Sequence, residues 1–293
     1  MMGLEDIPAR LSGLPLLAVL VGMGVLAGTL SAMFGVGGAI VTTPLLNAAL
    51  GVPYSLAVGS GLGFTLGTSA GGWARHLRMG NVAPRTMLAL AAGAVGGSFL
   101  GKSTHHWLRA CLGQGRFTLL MHGLFIALLV VVAYLVWRRP GEQGSKRAVL
   151  QRLPLPPRVS LDGGLGRASL PGLLAAGVAA GVLSGLMGVG GGVLLVPVML
   201  LLIGLEMHRA VGTSLGVILL TSVAGVVLYG LEGEASLWII MPLLVGSSLG
   251  VQLGAWLCQK LRGEILRRYF ALLATALALY LVVDFVRTWT RLD

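Results

Sequence analysis

Two glycine-rich turns carry the residue types and spacing best suited to binding chemistry. Residues 34–39 read FGVGGA and residues 187–192 read MGVGGG, and each turn precedes an apolar segment that we predict to be helical. The free N–H groups and positive dipole end of a helix start attract anions, and glycine lets the backbone approach a ligand closely. Alternatively, these glycines are small-residue contacts between packed helices. The candidate substrate-binding glycines are Gly35, Gly37, Gly38, Gly188, Gly190, Gly191 and Gly192.

Hydroxyl side chains inside apolar segments form a second candidate set. A hydroxyl donates to an oxyanion without carrying a charge, which suits a group that has to bind and then release. Its alternative role is a hydrogen bond to a carbonyl about four residues back, or to a neighbouring helix. Clustering in the segment after each glycine turn favours a role in lining a site. The candidates are Ser60, Thr68, Ser69, Thr213, Ser214, Thr221 and Ser222, with Thr65 beside them.

Carboxylates are scarce, and their placement excludes several kinds of chemistry. Nine of the ten acids lie in predicted loops, tails or segment ends, and we expect Asp284 to face the interface near the end of the last helix. Metal cations need oxygen anions inside the membrane, so we predict no metal site and no cation substrate. Cys111 and Cys258 form no metal-ligand pattern. Nothing resembles a catalytic triad or an acid/base pair, so we predict neither enzyme activity nor a cofactor.

The histidines offer weaker signals. His122 lies inside an apolar run and is the best-placed titratable side chain at depth. We favour a buried structural histidine there over a proton relay. His105 and His106 adjoin Trp107 in a predicted loop, and residues adjacent in sequence do not share a helix face. This arrangement argues against a metal site.

The elements that must position these residues are membrane helices. The chain is 56% hydrophobic and 11% charged, with a mean hydropathy of +0.89, whereas soluble domains carry about 25% charged residues. Runs such as 118–136 and 237–257 have the roughly 20 residues that a spanning helix needs. Because lipid offers no partners to backbone polar groups, we predict an all-α polytopic membrane protein in a lipid bilayer. The net charge of +11 fits basic cytoplasmic loops rather than nucleic-acid binding.

The sequence contains an internal repeat. When the chain is shifted by 153 positions, residues 25–108 lie over residues 178–261 without a gap. The two glycine turns coincide, and Pro44 falls on Pro197. Shared apolar composition would not place glycines in register, so the chain holds two copies of one unit. Further glycines in register are Gly93, Gly97 and Gly101 with Gly246, Gly250 and Gly254.

Each half of the chain reads as five apolar segments. They cover residues 14–34, 38–50, 55–74, 86–101 and 117–137, then 171–187, 191–204, 211–230, 237–257 and 268–286. The second segment of each half is too short to cross about 30 Å of hydrocarbon, so we predict short broken or re-entrant helices after the glycine clusters. Such segments at equivalent positions of two repeats are typical of a transporter binding site. The predicted units are a first transmembrane repeat, 14–137, a basic linker, 138–170, and a second transmembrane repeat, 171–286.

Loop charges predict the orientation of the chain. The basic linker and the basic loops near Arg78 and Lys260 are expected to be cytoplasmic, and the turn holding Glu232 and Glu234 external. An odd number of crossings in each half then makes the two repeats inverted, with both termini outside. Three basic residues run against this arrangement, because it places them in an external loop: Lys102, Arg109 and Arg116.

The repeated pattern resembles the TauE/SafE sulfite-exporter-like permeases. The first half carries Gly28-Thr29-Leu30-Ser31, the turn Gly35-Val36-Gly37-Gly38, Pro44 and Ala57-Val58-Gly59-Ser60. The second half repeats the pattern from Gly181 to Gly192, with Pro197 and then Ala210-Val211-Gly212-Thr213-Ser214. The resemblance covers both repeats. The first half departs at Gly61, where the second half has Ser214 beside Thr213, so a hydroxyl pair in one half is only half present in the other.

The resemblance implies a multi-pass secondary transporter (permease) of the bacterial inner membrane. The glycine turns and the scarcity of acids favour a small anionic substrate. The resemblance further implies that this anion contains sulfur and is a sulfur oxyanion or organosulfonate, such as sulfite or sulfoacetate. The coupling ion, proton or sodium, and a homo-oligomeric state are left open. The alternatives are an anion channel and a membrane scaffold or sensor without transport.

Overall fold

The structure, a computed structural model, describes residues 14–137, 156–162, 167–188 and 191–289, with side chains as far as residue 286. It confirms an all-α membrane protein. The described helices are α1 (Leu14–Phe34), α2 (Ala39–Pro44), α3 (Tyr54–Arg78), α4 (Pro84–Trp137), α5 (Leu170–Met187), α6 (Gly192–Val198), α7 (Met207–Gly230), α8 (Leu237–Lys260) and α9 (Gly263–Trp289). Six helices of the described chain are long and apolar enough to cross a membrane: α1, α4, α5, α7, α8 and α9.

The same order of elements occurs twice along the chain. Helices α1, α2 and α3 lie about 153 residues before α5, α6 and α7. Helix α4 has two arms that meet at Gly113, where φ is 72°, and these arms stand where α8 and α9 stand in the second half. The five apolar segments of each half therefore correspond to five helical segments in the structure.

The loop predicted between the fourth and fifth segments of the first half is wrong. Residues 102–116 belong to α4, and the backbone leaves helical geometry at Gly113. Lys102 and His105 lie on the buried face of this helix and are 5% and 1% exposed. Their polarity looked like a loop signal. It is satisfied instead by partners on other elements, so the backbone remains helical.

Each short segment after a glycine turn changes from α-helical to π-helical geometry. The π-helical turn Leu45–Ala49 continues α2, and Met199–Ile203 continues α6. Pro44 and Pro197 stand at the change. A proline lacks an N–H group and its ring crowds the carbonyl four residues back, so a wider turn relieves the clash. Each combined segment is about 17 Å long, which is too short to span the hydrocarbon core.

Glycines hold helices of the two halves in close contact. The largest helix–helix interfaces join α1 to α8 and α4 to α5. Gly97 of α4 lies directly against the backbone of Val178, and Gly250 of α8 lies against Val25 in the same way. Small residues let membrane helices approach until their backbones touch. The glycines that the repeat places in register therefore form two equivalent seams between the halves.

Helices α3 and α7 cross at the centre of the bundle in opposite directions. Gly72 of α3 contacts Leu215, and Gly225 of α7 contacts Leu62, so residue numbers rise along one helix as they fall along the other. These two helices occupy equivalent places in the repeat. An antiparallel crossing of equivalent helices is the relationship that inverted repeats require, and the inversion across a bilayer stays a prediction.

The described part of the linker packs on the start of α4. Strands β1 (Arg158–Ser160) and β2 (Arg167–Ser169) form an antiparallel ribbon. Asp162 accepts hydrogen bonds from the backbone N–H groups of Arg85 and Thr86, at 2.8 and 3.3 Å. A carboxylate at a helix start is stabilised by the helix dipole. The linker and the basic loop at Arg85, both predicted to be cytoplasmic, thus lie at the same end of the bundle.

Candidate functional site

The glycine turns adopt backbone angles that other residues rarely take. Gly35 and Gly37 have φ of 69° and 71°, and Gly188 and Gly191 have φ of 70° and 73°. A side chain at such a φ is strained, so these four positions require glycine. Gly35 and Gly188 are equivalent in the repeat and share this geometry. Gly38, the equivalent of Gly191, has a helical φ of −65°, so the two turns differ beyond their first glycine.

The two glycine turns touch each other near the middle of the bundle. A methyl group added at Gly192 would collide with the backbone of Val36 and with the side chain of Ile218. A methyl group at Gly37 would lie 2.9 Å from Thr65 and 3.1 Å from Ile218. Thr65 is the twelfth of the 25 residues of α3, and Ile218 is the twelfth of the 24 residues of α7. The turns thus meet at the midpoints of the two central helices.

Side chains of the central helices fix the first turn. Ser214 Oγ donates to the carbonyl oxygen of Gly35 at 2.6 Å, and Thr65 Oγ1 accepts from the N–H of Ala39 at 2.9 Å. A protein hydroxyl therefore satisfies the first amide of α2, much as an N-cap side chain does. The equivalent position on α7 is Ile218, which cannot accept a hydrogen bond. The starts of α2 and α6 are thus chemically different.

Other glycines of the turns are in close packing contacts. Glycine lets each of them approach a neighbour that a methyl group would strike. The contacts are Gly38 with Phe64, Gly188 with Val58 and Gly191 with Ala180. At these positions the packing role weighed for the glycine clusters accounts for the residue type. Gly190 lies outside the described residues, so its role stays a prediction.

The crossing of α3 and α7 brings hydroxyl groups beside the meeting point of the turns. The register of the Gly72–Leu215 and Gly225–Leu62 contacts places Thr65 opposite Ser222. Ser222 is fully buried, and its Oγ has no hydrogen-bond partner among the described residues. A buried hydroxyl without a partner costs free energy, so it calls for an explanation.

Three more candidate hydroxyls bond to their own helices. Thr68 Oγ1 donates to the carbonyls of Phe64 and Thr65, and Ser69 Oγ donates to the Thr65 carbonyl at 2.6 Å. Thr221 repeats the pattern of Thr68 on α7. These hydroxyls face carbonyls in the structure. They can serve an anion only after the O–H bond rotates away from the carbonyl.

Ser60 and Thr213 cap helices of the opposite halves. Ser60 Oγ accepts from the N–H of Ser236, directly before α8, at 3.0 Å. Thr213 Oγ1 accepts from the N–H of Ala83, directly before α4, at 2.9 Å. The two bonds are equivalent under the repeat, and both join one half to the other. This pair therefore has a structural role as helix caps.

A charged cluster that sequence reasoning missed lies at the end predicted to be external. The buried Lys102 Nζ is 2.7 Å from Glu232 and 2.6 Å from Glu234. The same ammonium lies 3.5 Å above the ring of Tyr229. Arg109 pairs with the other oxygen of Glu234. Helix α4 of the first half is thereby tied to the loop between α7 and α8 of the second.

The carboxyl group of Glu234 is held in its charged form by these neighbours. Burial alone raises its pKa, but the hydrogen bond and charge of Lys102 and the charges of Arg109 and His105 outweigh that effect. The pKa of Glu234 therefore lies below its ordinary value. The cluster is a set of matched charges at neutral pH.

A hydrogen-bonded chain leads from this cluster to the second glycine turn. Arg109 donates to Ser55 Oγ at 3.0 Å, and Ser55 lies 3.1 Å from His105 Nε2. His105 Nδ1 is 2.9 Å from the carbonyl oxygen of Leu186, at the end of α5. Because a carbonyl only accepts, the partners assign the hydrogen to Nδ1, and Ser55 then donates to Nε2. Charge at the bundle end is thus linked to the turn at Gly188.

The sequence did contain a signal for the cluster. Lys102 and Arg109 are seven residues apart, which places both on one face of a helix. The same topology put them outside together with Glu232 and Glu234, and opposite charges on one side are natural partners. Because residues 102–116 were predicted to form a loop, Lys102 and Arg109 were not assigned to one helix face.

Carboxylates are absent from the buried interior of the described chain. Among its basic and acidic side chains the buried ones are Lys102, His76, His105 and His122, and every described Asp and Glu is at least partly exposed. The described residues contain no group of three His, Cys, Asp or Glu side chains that could hold a metal ion. A metal cation therefore meets no cluster of carboxylates among these residues.

Known proteins of similar sequence are membrane transporters by name. The chain is 27% identical over 230 residues to the Probable membrane transporter protein YdhB of Bacillus subtilis (strain 168), covering 78% of this chain and 85% of that protein. It is 28% identical over 283 residues to a Probable membrane transporter protein of Xylella fastidiosa (strain 9a5c), covering 94% and 97%. No solved structure gives a significant match.

A family profile matches almost the whole described bundle. The profile is that of the sulfite exporter TauE/SafE family, and the match runs from residue 20 to residue 281. This range contains both glycine turns, both interhelical glycine seams and the crossing of α3 and α7. The chain is therefore a multi-pass membrane transporter that belongs to the TauE/SafE sulfite exporter family.

Proposed function

We propose that this protein is a secondary transporter that moves a small anion past the meeting point of the two glycine turns. The observation that carries the proposal is the contact of Gly192 with Val36 beside the crossing of α3 and α7. At this crossing Ser222 has a buried hydroxyl group with no hydrogen-bond partner among the described residues. A buried hydroxyl that is free to donate suits an oxyanion that binds and then leaves.

The electrostatics of the bundle support an anion as the substrate. Glu232 and Glu234, the acids that pair with the nearly buried Lys102, stand toward the surface with exposed side-chain fractions of 45% and 17%. A carboxylate at the centre would attract cations and repel anions. We accordingly do not expect a metal, a cofactor or an enzymatic reaction at this site.

The sulfur part of the proposal is supported at the level of the family. The family description names sulfite export, whereas the relatives are named only as membrane transporters. We propose a sulfur oxyanion or organosulfonate, such as sulfite or sulfoacetate, as the substrate and the bacterial inner membrane as the location. A tetrahedral or pyramidal oxyanion offers several acceptor oxygens to the hydroxyl groups near the crossing.

Reconstituted vesicles test the proposed function directly. Purified protein in vesicles should exchange labelled for unlabelled sulfite, thiosulfate or sulfoacetate in a saturable manner, with no exchange in empty vesicles. Flux that never saturates and never exceeds equilibrium would favour an anion channel. Absence of flux with all three anions would favour a scaffold or sensor.

Substitutions in the turns test the site. We expect Gly37→Leu and its sequence equivalent Gly190→Leu to abolish exchange while the protein still inserts, because Gly37 has a positive φ and touches both central helices. Gly22→Leu is the matched control, since Gly22 is exposed on α1 and no described atom lies within 4 Å of an added methyl group. Normal exchange in both turn variants would remove the turns from the transport path.

A further inference from the structure

A histidine and an aspartate meet between the second arm of α4 and α9. His122 Nδ1 lies 3.6 Å from Asp284 Oδ2, with side-chain exposures of 3% and 19%. The sequence placed Asp284 at the interface because it is near the end of the last helix, whereas the structure sets it against a buried imidazole. The equivalent positions in the repeat are Thr275 and Val131, so the repeat does not account for the pair.

The neighbours of His122 fix which nitrogen carries hydrogen. Asn47 Nδ2 donates to the carbonyl of Val52 at 2.8 Å, which leaves Asn47 Oδ1 at 3.1 Å from His122 Nε2. An amide oxygen only accepts, so these partners assign the hydrogen to Nε2. In the neutral imidazole, Nδ1 then carries no hydrogen, and its lone pair faces the carboxylate of Asp284. Nδ1 and the carboxylate oxygen are both acceptors, so a proton bound at Nδ1 would form a hydrogen bond between them.

Other titratable groups connect this pair to the charged cluster. The ring of Tyr54, on α3, lies edge-on to His122 with centroids 6.1 Å apart. On its other side Tyr54 stacks on His105 at 6.3 Å. His105 leads through Ser55 to Arg109, whose side chain is 40% exposed. Side chains in ring contact thus lie between the bundle end predicted to be external and the histidine–aspartate pair. The Tyr54 hydroxyl among them has no hydrogen-bond partner in the described part of the chain.

We propose that the His122–Asp284 pair binds a proton that is transported together with the anion. This inference rests on the proposed transport function. Water at the predicted external end delivers the proton to His122 Nδ1, which gives an imidazolium paired with the carboxylate. The same proton leaves to water on the other side once the protein has opened there.

The charge of the pair decides the direction of coupling. Without the proton the pair carries one negative charge, and with it the pair is neutral. An anion in the bundle is repelled by the first state and not by the second. Proton and anion therefore favour each other's binding, which makes them move in the same direction.

The test separates coupling from transport itself. Vesicles containing the full chain receive labelled thiosulfate or sulfoacetate, because sulfite takes up a proton of its own near neutral pH. With the membrane potential clamped at zero, an acid-outside gradient of one pH unit supports up to about tenfold accumulation at one proton per anion. We expect the wild type to accumulate the anion and to acidify the lumen, as read by an internal pH dye. Counterflow of labelled against unlabelled anion at equal pH measures transport that needs no pH gradient.

Two variants remove the proton site. We expect Asp284→Asn, which makes the site neutral, to lose accumulation above equilibrium and lumen acidification while it keeps wild-type counterflow. We expect His122→Gln, which keeps the carboxylate charge, to lose accumulation and lumen acidification and to show weaker counterflow. Glu264→Gln, a change of an exposed acid on the same helix, should keep all three. Gradient-driven accumulation in both variants would overturn the inference, and so would loss of counterflow in correctly folded Asp284→Asn. A wild type without counterflow would instead overturn the proposed function, and this inference with it.

Discussion

Lys102 Nζ lies 2.6 Å from a carboxylate oxygen of Glu234, and this bond joins α4 of the first half to the loop before α8 of the second. Lys102 is 5% exposed and also reaches Glu232, so its charge is satisfied by two acids of the same loop. A buried charge that loses a partner is costly, because water cannot replace the partner. The pair therefore closes one end of the bundle.

We expect Glu234→Gln to lower the thermal stability of the purified protein at neutral pH. Loss of a charge-assisted hydrogen bond costs roughly 1.5–3 kcal/mol, and the part shared with the more exposed Arg109 contributes less. The pKa of Glu234 is lowered in the fold, so its stabilisation is complete above the ordinary value of 4.5 and is lost as the pH falls through the lower, folded value. The difference in Tm between wild type and variant should shrink over that range.

The exposed Glu264 supplies the control for this comparison. Glu264→Gln should change Tm little at any pH, because the carboxylate is solvated at the start of α9. Equal Tm values for Glu234→Gln and wild type at neutral pH would contradict a stabilising role for the cluster.

The helix caps give a second prediction. Thr213→Val should lower stability by about 1–2 kcal/mol, because the N–H of Ala83 loses its acceptor in a buried place. Thr275→Val is the control, since Thr275 donates to the Ala271 carbonyl of its own helix. The KM for exchange should be unchanged in both variants. A raised KM in Thr213→Val with normal stability would instead assign that hydroxyl to the substrate.

Adjacent glycines of α4 give a matched pair for the packing seam. A methyl group at Gly97 would strike the backbone of Val178 on α5, whereas at Gly96 it would meet no described atom within 4 Å. Gly97→Ala should therefore destabilise the protein by about 1–3 kcal/mol through overpacking. Gly96→Ala should leave Tm unchanged or slightly raised, because alanine favours the helix. Equal Tm values in the two variants would contradict the close seam.

The glycine turns were predictable because their signal is local and occurs twice. The run FGVGGA and its copy identify the breaks at Gly35 and Gly188 without any knowledge of contacts. The roles of Ser60 and Thr213 were not predictable. The amides that they cap belong to Ser236 and Ala83, which lie 176 and 130 residues away in sequence. Sequence indicates that a buried hydroxyl needs a partner, but only the fold supplies one.

The helical course of α4 escaped prediction for a similar reason. Lys102 resembles a loop residue when it is considered alone, since a lysine inside a membrane helix is costly. Its partner Glu234 is 132 residues away. The ion pair removes the cost and lets the helix continue, so the assignment depends on a contact that periodicity cannot reveal.

The two cysteines provide a test of orientation. Cys111 is exposed near the bend of α4, and Cys258 is buried on α8. The predicted topology places Cys111 outside the cell, so a membrane-impermeant maleimide should label it in intact cells. Cys111→Ser should abolish this labelling, and Cys258 should react only after denaturation. Labelling of Cys111 only in inverted vesicles would reverse the orientation.

Ser222 gives the sharpest distinction between a structural and a binding hydroxyl. Its Oγ is buried without a partner among the described residues, so Ser222→Ala removes an unsatisfied group and should leave Tm unchanged or raise it. Loss of a hydrogen bond to a charged substrate costs roughly 1.5–3 kcal/mol, which predicts a rise in KM of about tenfold or more. Ser248→Ala is the control, since Ser248 is exposed and bonds to Val245 of its own helix. A structural hydroxyl would show the opposite pattern, with a lower Tm and an unchanged KM. Higher stability combined with weaker binding is expected only where a polar group is held unpaired for a ligand.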